Sequence, residues 1–288
     1  MLSYRHSFHA GNHADVLKHI TQMLIIKKLK IKAKPAVYID THSGAGLYEL
    51  QGLEAQKTKE FLTGITAMQA YQSEQQDIAE YQQLTHDFIE NNQYPGSPLI
   101  AANMLREQDR IVCMELHNTE IDNLRHNLAD FGSLAKVGVH HRDGYEGLLA
   151  ILPPIPARGL VLIDPSYEVA DEYQQVVMTL AKAIKKWSVG IFAIWYPLLS
   201  SRAGQKAGLS EKMISEIAAL DCKSVLNVAM HVTENEGDAG MYGSGLIIVN
   251  APWQLDTDLE NVLPELVAHL GGDDAHGKAY VEWLKKPD

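Results

Sequence analysis

Four acidic side chains follow four short β-rich segments of the sequence, and their type and position indicate a shared binding site. The segments are "AVYI", "IVCM", "VGVHHR" and "LVLI", and the acids after them are Asp40, Glu115, Asp143 and Asp164. Carboxylates accept hydrogen bonds from the N–H and O–H groups of a ligand. Each acid taken singly can also be a solvent-exposed residue at the end of a strand, with no ligand. Acids at the ends of four strands of one sheet favour a ligand that they bind together.

A glycine-containing turn, "DTHSGAG" from Asp40 to Gly46, follows the first of these segments. Glycines let the backbone turn tightly and approach a ligand at the carboxyl ends of parallel strands. Glu49 stands where a dinucleotide-binding fingerprint would have its third glycine, which argues against a nicotinamide cofactor. An acid before glycines suits a cofactor with an amino-acid end, because the carboxylate can receive its ammonium group. A plain strand-to-helix turn is the alternative.

The next two acids suit an adenosine group. Glu115 ends the second strand, where an acid can hold both ribose hydroxyls, as the equivalent acid does in dinucleotide-binding folds. Asp143, which is followed by Gly144, ends the third strand and can accept a hydrogen bond from the adenine amino group. The first three acids together therefore favour a cofactor that contains both an adenosine and an amino acid.

These side chains need a scaffold that brings strand ends together, and the order of the segments predicts one. Seven β-rich segments are mostly separated by helical patterns, which predicts an α/β fold with a mostly parallel sheet and helices on both faces. The last two, "SVLNVAM" and "GLIIVN", are joined by a Gly-rich stretch without a helical period and are expected to pair antiparallel. A seven-stranded sheet with a reversed last strand resembles the Rossmann-like class I methyltransferase fold, although architecture alone does not establish function.

The chain is interpreted as a single domain, residues 1–288, with two additions to the sheet. Residues 1–34 are a tail followed by an amphipathic helix, which Asn12 caps. Residues 52 to about 108 replace what is normally one crossover helix and are predicted to form a helical insertion.

Composition limits the function classes. The 288 residues carry a formal net charge of −11, yet residues 1–34 contain seven basic residues against one acid, so a local basic face and a plain lysine-rich helix end both remain open. The two cysteines lie in apolar stretches, which favours buried thiols in a reducing compartment. No membrane span and no signal-peptide core are recognised, so a cytoplasmic protein without a membrane partner is expected.

The fourth acid opens the tetrad Asp164-Pro165-Ser166-Tyr167, which resembles the [DN]-P-P-[FYW] signature of methyltransferases that act on exocyclic amino nitrogens. The resemblance implies that the acid and the first proline carbonyl accept the two N–H bonds, while the aromatic ring stacks on the extruded base. Ser166 replaces the second proline, which affects loop rigidity because proline fixes φ. The rival tetrad "NAPW", Asn250–Trp253, lacks the first proline and follows the wrong strand.

Longer stretches carry a closer resemblance. "MLSYRHSFHAGNHADVLKH", "DTHSGAG", "YPGSPLIA", "VLIDPSYE" and "IWYPLL" are similar to the RlmJ-type bacterial 23S ribosomal RNA adenine-N6 methyltransferases over nearly the whole length. The resemblance implies that S-adenosylmethionine is the cofactor and that Asp164 accepts the proton. It also implies two sets of contacts, which are His19, His42, Ser97, Glu115, Asp143, Gly144 and Asp164 with the cofactor, and Tyr4, His6 and Lys18 on the side of the target adenosine.

Several of these residues have simpler explanations in the sequence alone. Lys18 and His19 fit the polar face of the first helix, and Ser97 fits a turn between prolines. The four histidines at positions 6, 9, 13 and 19 have no second cluster of ligands, so no metal is expected. Trp195 in "FAIWYPLL" fits a buried strand end better than a substrate contact.

Three functions follow from these features. The leading hypothesis is S-adenosylmethionine-dependent methylation of an adenosine N6 in 23S ribosomal RNA, which requires the base to be splayed out of its stack. The second keeps the chemistry and changes the substrate to adenine or cytosine in DNA. The third is a non-catalytic nucleic-acid-binding protein linked to DNA uptake or use, which Ser166 keeps open. The target nucleotide and the oligomeric state are not predicted.

Overall fold

The computed structural model describes residues 4–235, 240–271 and 277–287. It contains one large sheet, one two-stranded sheet and helices around them. The strands are β1 Val37–Asp40, β2 Leu47–Glu49, β3 Gln93–Pro95, β4 Arg110–Glu115, β5 Lys136–His141, β6 Gly159–Ile163, β7 Ile191–Leu199, β8 Val225–His231, β9 Met241–Val249 and β10 Lys278–Lys285. The α-helices are α1 His13–Lys30, α2 Leu53–Thr58, α3 Ile65–Gln69, α4 Gln76–Glu90, α5 Ser97–Met104, α6 Asn118–Phe131, α7 Gly144–Ile151, α8 Asp171–Lys186, α9 Leu209–Ala218 and α10 Leu255–Leu270. Three short 3₁₀ helices are His6–Phe8, Glu60–Leu62 and Ser201–Lys206.

The large sheet confirms the predicted strand pattern and adds one strand. Its order is β10-β8-β9-β7-β6-β1-β4-β5, and the five strands from β7 to β5 are parallel. β9 lies antiparallel to both β7 and β8, as expected for a reversed last strand. All seven predicted strands are present. The sheet nevertheless has eight strands rather than seven, because β10 pairs antiparallel with β8 at the edge.

The first helix begins where the sequence predicts, but it is not amphipathic in the expected way. Asn12 caps α1 by accepting a hydrogen bond from the backbone N–H of Asp15 at 3.0 Å. Every side chain from residue 14 to residue 26 is buried, including those of Lys18 and His19. The alternative that these two residues form a solvated polar face is therefore wrong. The helix packs between the sheet and α4, α5 and α10, which cover it on several sides.

The lysines at the end of α1 are partly neutralised by neighbouring helices. Lys27 Nζ lies 2.5 Å from carboxylate oxygens of both Asp77 and Glu80 on α4. Lys28 Nζ lies 2.6 Å from Asp258 on α10. These ion pairs join α1 to the helices around it, and they reduce the basic face that the lysine-rich sequence leaves open.

The segment between β1 and β4 combines helices with a small two-stranded sheet. β2 and β3 pair antiparallel, with Leu47 opposite Pro95, and the helices α2, α3 and α4 lie between them in the chain. α5 then packs against β1 and β4 and makes the crossover. The predicted helical insertion, residues 52 to about 108, therefore also contains the strand β3 and the crossover helix itself.

Cys113 and Cys222 are free thiols. No helix in the described part of the chain is long and apolar enough to cross a membrane.

Candidate active site

A cavity of about 570 Å³ lies at the carboxyl ends of the parallel strands, where the sequence predicts the binding site. Its wall includes residues that follow β1, β4, β5 and β6, together with the N-terminal tail and the start of α1. Every candidate site residue lines this one cavity, namely Tyr4, His6, Lys18, His19, His42, Ser97, Glu115, Asp143, Gly144, Asp164, Pro165 and Tyr167. The fold therefore brings together residues that are up to 163 positions apart in the sequence.

Contacts of Tyr167, the aromatic residue of the tetrad after β6, hold the tetrad loop in place. Tyr167 adopts a left-handed conformation with φ of 50°, which is uncommon for a residue with a side chain. Its hydroxyl donates to the carbonyl of Trp195 at 2.8 Å, and its own carbonyl accepts from Lys206 Nζ at 3.2 Å. Its ring also packs against Tyr173 at 4.3 Å between centroids. These contacts fix the loop although Ser166 replaces the second proline of the signature.

A chain of hydrogen bonds connects the N-terminal tail to Asp164. Tyr4 Oη lies 3.0 Å from His6 Nδ1, and His6 Nε2 lies 2.8 Å from Asp15 Oδ2. The other oxygen of Asp15 accepts from Lys18 Nζ at 2.7 Å. Lys18 Nζ also donates to Asp164 Oδ2 at 2.5 Å. Asp15 is thus the central residue of the chain. Sequence reasoning missed it, although its i, i+3 spacing from Lys18 on one helix was a usable signal.

Both charges at the centre of this chain are stabilised by their partners. Burial alone lowers the pKa of Lys18, but the carboxylates of Asp15 and Asp164 overcome that effect and raise it above its ordinary value. Burial alone raises the pKa of Asp15, but His6 and Lys18 hold it well below its ordinary value. Lys18 therefore stays protonated and Asp15 stays ionised at neutral pH, which keeps a buried cation beside Asp164.

The acids after β4 and β5 use part of their hydrogen-bonding capacity to shape the other end of the cavity. Glu115 accepts from the backbone N–H of Gly44 at 2.8 Å and from that of His117 at 2.7 Å. Asp143 caps α7 by accepting from the N–H of Glu146 at 2.9 Å. A carboxylate has about four acceptor positions, so both acids retain lone pairs for a ligand in the cavity.

Gly144 permits the close approach of α7 to the turn after β1. A Cβ atom at this position would lie 1.9 Å from the carbonyl oxygen of Thr41. Any larger residue must push the start of α7 away from the turn. Asp143, which precedes Gly144, would move with it.

With S-adenosylmethionine, the cofactor that the sequence resemblance implies, as the test ligand, we expect Gly144→Ala to weaken binding at least about 10-fold, since an ångström of displacement breaks a hydrogen bond. Isothermal titration calorimetry measures this directly. Gly240→Ala is the matched control, because a Cβ atom there meets nothing within 4 Å. Equal affinities of the Gly144 variant and the wild type would contradict the role of this close contact.

Asp40 does not line the cavity. Its carboxylate is fully buried and accepts from the hydroxyls of Tyr38 at 2.6 Å and Ser97 at 2.7 Å. Burial raises its pKa to about 6, although these two hydrogen bonds act in the opposite direction. Asp40 therefore fixes the turn and the start of α5, rather than offering its carboxylate to the ammonium group of a ligand. Ser97 reaches the cavity wall, but its hydroxyl is already used by Asp40.

Two histidines in the wall are held as neutral rings, His19 fully buried and His42 partly buried. Burial lowers the pKa of His19 to about 3, and its Nδ1 lies 2.7 Å from the hydroxyl of Tyr94. Burial also lowers the pKa of His42, whose ring packs edge-on against Tyr145 at 4.9 Å between centroids. As neutral rings, His19 and His42 add no positive charge to their part of the wall. A cationic group of a ligand can therefore lie beside them.

Lowering the pH from about 6.5 to about 4 is expected to destabilise the fold through His19. Its ordinary pKa is 6.5 and its folded-state pKa is about 3. In that interval the unfolded chain binds a proton that the folded chain does not, so the free energy of unfolding falls as the pH falls. One such group contributes a slope of at most about 1.4 kcal/mol per pH unit.

Urea unfolding across this pH interval measures the effect. His19→Gln cannot titrate, so its stability should fall less steeply with pH than that of the wild type. His126→Gln, at a side chain that is 74% exposed, is the control. Parallel pH profiles for the His19 variant and the wild type would show that His19 is not buried as a neutral ring.

A second polar cluster in the wall joins the tail to the insertion. Glu60 accepts from Asn12 Nδ2 at 2.9 Å, and its other oxygen lies 2.9 Å from His9 Nδ1. The hydrogen bond between His9 and Glu60 raises the pKa of His9. Sequence reasoning missed Glu60, because nothing in the insertion pattern marks it as facing the tail.

Among the residues in the described ranges, no group of three or more His, Cys, Asp or Glu side chains is arranged to hold a metal ion.

Comparisons with known proteins show which family the chain belongs to. A family model for the ribosomal RNA large subunit methyltransferase D, RlmJ, matches residues 33–285. The chain is 41% identical over 287 residues to the ribosomal RNA large subunit methyltransferase J of Escherichia coli (strain K12), covering 99% of each chain. It is 40% identical over 288 residues to the protein of the same name from Haemophilus influenzae, again covering 99% of each.

A solved structure shows the same fold at high coverage. The crystal structure of a Legionella pneumophila protein superposes with a TM-score of 0.82 at 35% identity, covering 95% of this chain and 98% of that one. The match of the family model over most of the chain and the full-length relatives lead to one conclusion: this chain belongs to the RlmJ family of ribosomal RNA large subunit methyltransferases.

Proposed function

We propose that this protein transfers a methyl group from S-adenosylmethionine to the exocyclic N6 of an adenosine in 23S ribosomal RNA. The observation that carries the proposal is the single cavity that joins the Asp164-Pro165-Ser166-Tyr167 loop to Glu115 and Asp143. Relatives at 41% and 40% identity over the whole chain are ribosomal RNA large subunit methyltransferases by name, which supports RNA as the substrate.

The polar groups of the cavity wall fit S-adenosylmethionine. Glu115 and Asp143 retain acceptor positions for ribose hydroxyls and an adenine amino group, and His19, His42, Ser97 and Gly144 complete the wall around them. The buried hydroxyl of Tyr145, also in the wall, has no hydrogen-bond partner within the described part of the protein. A buried polar atom of this kind is costly unless a ligand satisfies it. When bound, S-adenosylmethionine supplies an electrophilic methyl group on a sulfonium.

The chemistry that this chain supplies centres on Asp164. The lone pair of an exocyclic amino nitrogen is delocalised into the purine ring, so the nitrogen is a poor nucleophile. One oxygen of Asp164 is held by Lys18, which leaves the other to accept an amino N–H, while the carbonyl of Pro165 is available for the second. These two acceptors localise the lone pair and orient it. Asp164 then accepts the proton that the methylated nitrogen loses.

Aromatic rings of the tail support the binding of a base in this cavity. Tyr4 stacks on His9 with 5.8 Å between ring centroids and an interplanar angle of 11°, and both residues line the cavity. A second aromatic surface is the ring of Tyr167, which lines the cavity from the tetrad loop. An adenosine that has been splayed out of its stack can lie against such rings.

Methylation of the substrate tests the proposal. The protein is incubated with S-adenosylmethionine carrying a labelled methyl group and with deproteinised 23S ribosomal RNA from cells that lack the protein. Mass spectrometry of the digested nucleosides should then find the label in N6-methyladenosine. Label that appears only when DNA is supplied would assign the enzyme to DNA. No transfer to either substrate, with no heat of binding for S-adenosylmethionine, would indicate a non-catalytic protein.

A further inference from the structure

One part of the cavity wall has no role in the cofactor and base contacts proposed above. It comes from β7, from the 3₁₀ helix after it and from the first residue of β9, and it contains Trp195, Pro197, Leu199, Lys206 and Met241. In the sheet, β7 lies on one side of β6, whereas β4 and β5, at whose ends Glu115 and Asp143 stand, lie on the other side. This wall, which we call the β7 wall, therefore lies across Asp164 from the end that holds Glu115 and Asp143.

Charge makes Lys206 unusual in this cavity. The wall contains seven acidic residues, Asp15, Glu60, Glu115, Glu120, Asp143, Asp164 and Glu172. Of the wall residues that the structure describes, Lys18 and Lys206 are the only lysines or arginines. Lys18 is buried between two carboxylates and has no access to a further anion. Lys206 donates to one backbone carbonyl, that of Tyr167 at 3.2 Å, and an ammonium has three donors.

The rest of the β7 wall is suited to an unstacked base or a ribose. Pro197, Leu199 and Met241 are apolar, and Trp195 offers a large ring. The indole Nε1–H of Trp195 is buried and has no acceptor among residues 4–235, 240–271 and 277–287. Aromatic rings beside a cationic side chain are the combination with which proteins bind single-stranded nucleic acids.

Resting on the proposed function, we propose that the β7 wall is a subsite for the nucleotide next to the target adenosine. In this subsite Lys206 contacts one phosphate that flanks the target, and the neighbouring base or sugar lies against Trp195 and Leu199. The strongly acidic cavity requires such a cation, because a polyanionic substrate is otherwise repelled at the point where it enters.

A double-mutant cycle, in which substitution of Lys206 is combined with neutralisation of individual RNA phosphates, tests the subsite. Short single-stranded RNA substrates are synthesised with the phosphate on either side of the target adenosine replaced, one at a time, by an uncharged methylphosphonate. The ratio kcat/KM is measured for the wild type, for Lys206→Gln and for Lys212→Gln. Lys212 is the control, because its side chain is 65% exposed on α9 and it does not line the cavity.

We expect Lys206→Gln to lower kcat/KM for the fully charged RNA roughly 5- to 10-fold, as for one charge-assisted contact. Neutralising one of the two flanking phosphates should cost the wild type a similar factor and cost Lys206→Gln less than about 2-fold. The salt dependence of RNA binding should also weaken by about 0.7 in the log–log slope. Lys212→Gln should behave as the wild type does.

Two results would overturn the subsite. One is an unchanged kcat/KM in Lys206→Gln. The other is an equal loss on all RNAs, including those with neutral flanking phosphates, because Lys206 would then act only by holding the Tyr167 carbonyl. Failure of the proposed function is distinguishable, since the wild type would then transfer no methyl group to any of these RNAs.

Discussion

Asp164→Ala is expected to lower kcat for RNA methylation at least about 1,000-fold while the protein stays folded. The variant lacks both the oxygen that accepts the amino N–H and the group that takes the proton, and each of these functions is worth roughly 100-fold or more. Lys18 keeps its partner Asp15, so the buried ammonium is not left without a counter-charge. Single-turnover transfer of a labelled methyl group measures the effect.

The amide variant separates the two roles of Asp164. Asp164→Asn keeps an acceptor oxygen but cannot take a proton, so its rate should lie between those of the wild type and the alanine variant. Asp122→Ala is the control, since this carboxylate is 78% exposed on α6 and forms an ordinary i, i+3 pair with Arg125. Turnover of Asp164→Ala within about 10-fold of the wild type would remove Asp164 from the catalytic step.

Asp15→Ala is expected to reduce the free energy of unfolding by about 3–5 kcal/mol, the typical cost of removing one partner from a buried ion pair. Asp15 is buried and accepts from His6, from Lys18 and from the backbone N–H of Gly11 at 2.9 Å. Its removal leaves the buried Lys18 with Asp164 alone and releases the tail. The activity should fall as well, because Lys18 and His6 lose the group that positions them.

Urea unfolding of Asp15→Ala and wild type at several pH values measures this loss. The pKa of Asp15 is lowered in the folded state, so its contribution is present at neutral pH and is lost only as the pH falls through that low value. The pKa of Lys18 is raised, so the contribution of its charge is lost only as the pH rises above its ordinary value of 10.5. The difference between the two proteins should therefore persist from about pH 5 to pH 10.

Asp122→Ala, which removes an exposed i, i+3 pair, should cost at most about 1 kcal/mol. A similarly small cost for Asp15→Ala would mean that the hydrogen-bond chain is not formed.

The sheet and the position of the cavity were predictable because both depend on local patterns. Short apolar segments separated by helical patterns define parallel strands, and the carboxyl ends of parallel strands share one edge. The acids that follow those segments must then meet, as Glu115, Asp143 and Asp164 do in the wall of the cavity. Asp40 shows the limit of this reasoning, because its place in the sequence does not reveal that Tyr38 and Ser97 bind its carboxylate inside the core.

The network around α1 was less predictable because it depends on packing between distant segments. The helix carries the consecutive apolar residues Leu24, Ile25 and Ile26, which already indicate burial on several faces, but the partners of its polar residues come from other elements. Asp164, for example, lies 146 positions beyond Lys18. Glu60 lies in an insertion whose local pattern gives no indication of its contact with His9 and Asn12.

The edge strand β10 escaped prediction for a different reason. Its segment "KAYVEWLK" alternates half-buried and exposed side chains and carries charges, so it lacks the continuous apolar run of the central strands. An edge strand of this kind pairs with one neighbour only and is commonly protected by charged residues. The period-2 alternation of Ala279, Val281 and Trp283 was the available signal, and these residues pack against the core.

The central claim is that the cavity places an adenosine amino group beside Asp164 and opposite the cofactor end. A crystal structure of the protein with S-adenosylhomocysteine and adenosine monophosphate tests it most directly. The account predicts the adenine N6 within about 2.7–3.2 Å of both the Asp164 carboxylate and the Pro165 carbonyl, with the cofactor ribose on Glu115. An adenine bound with its N6 away from Asp164, or a cofactor ribose bound away from Glu115, would contradict it.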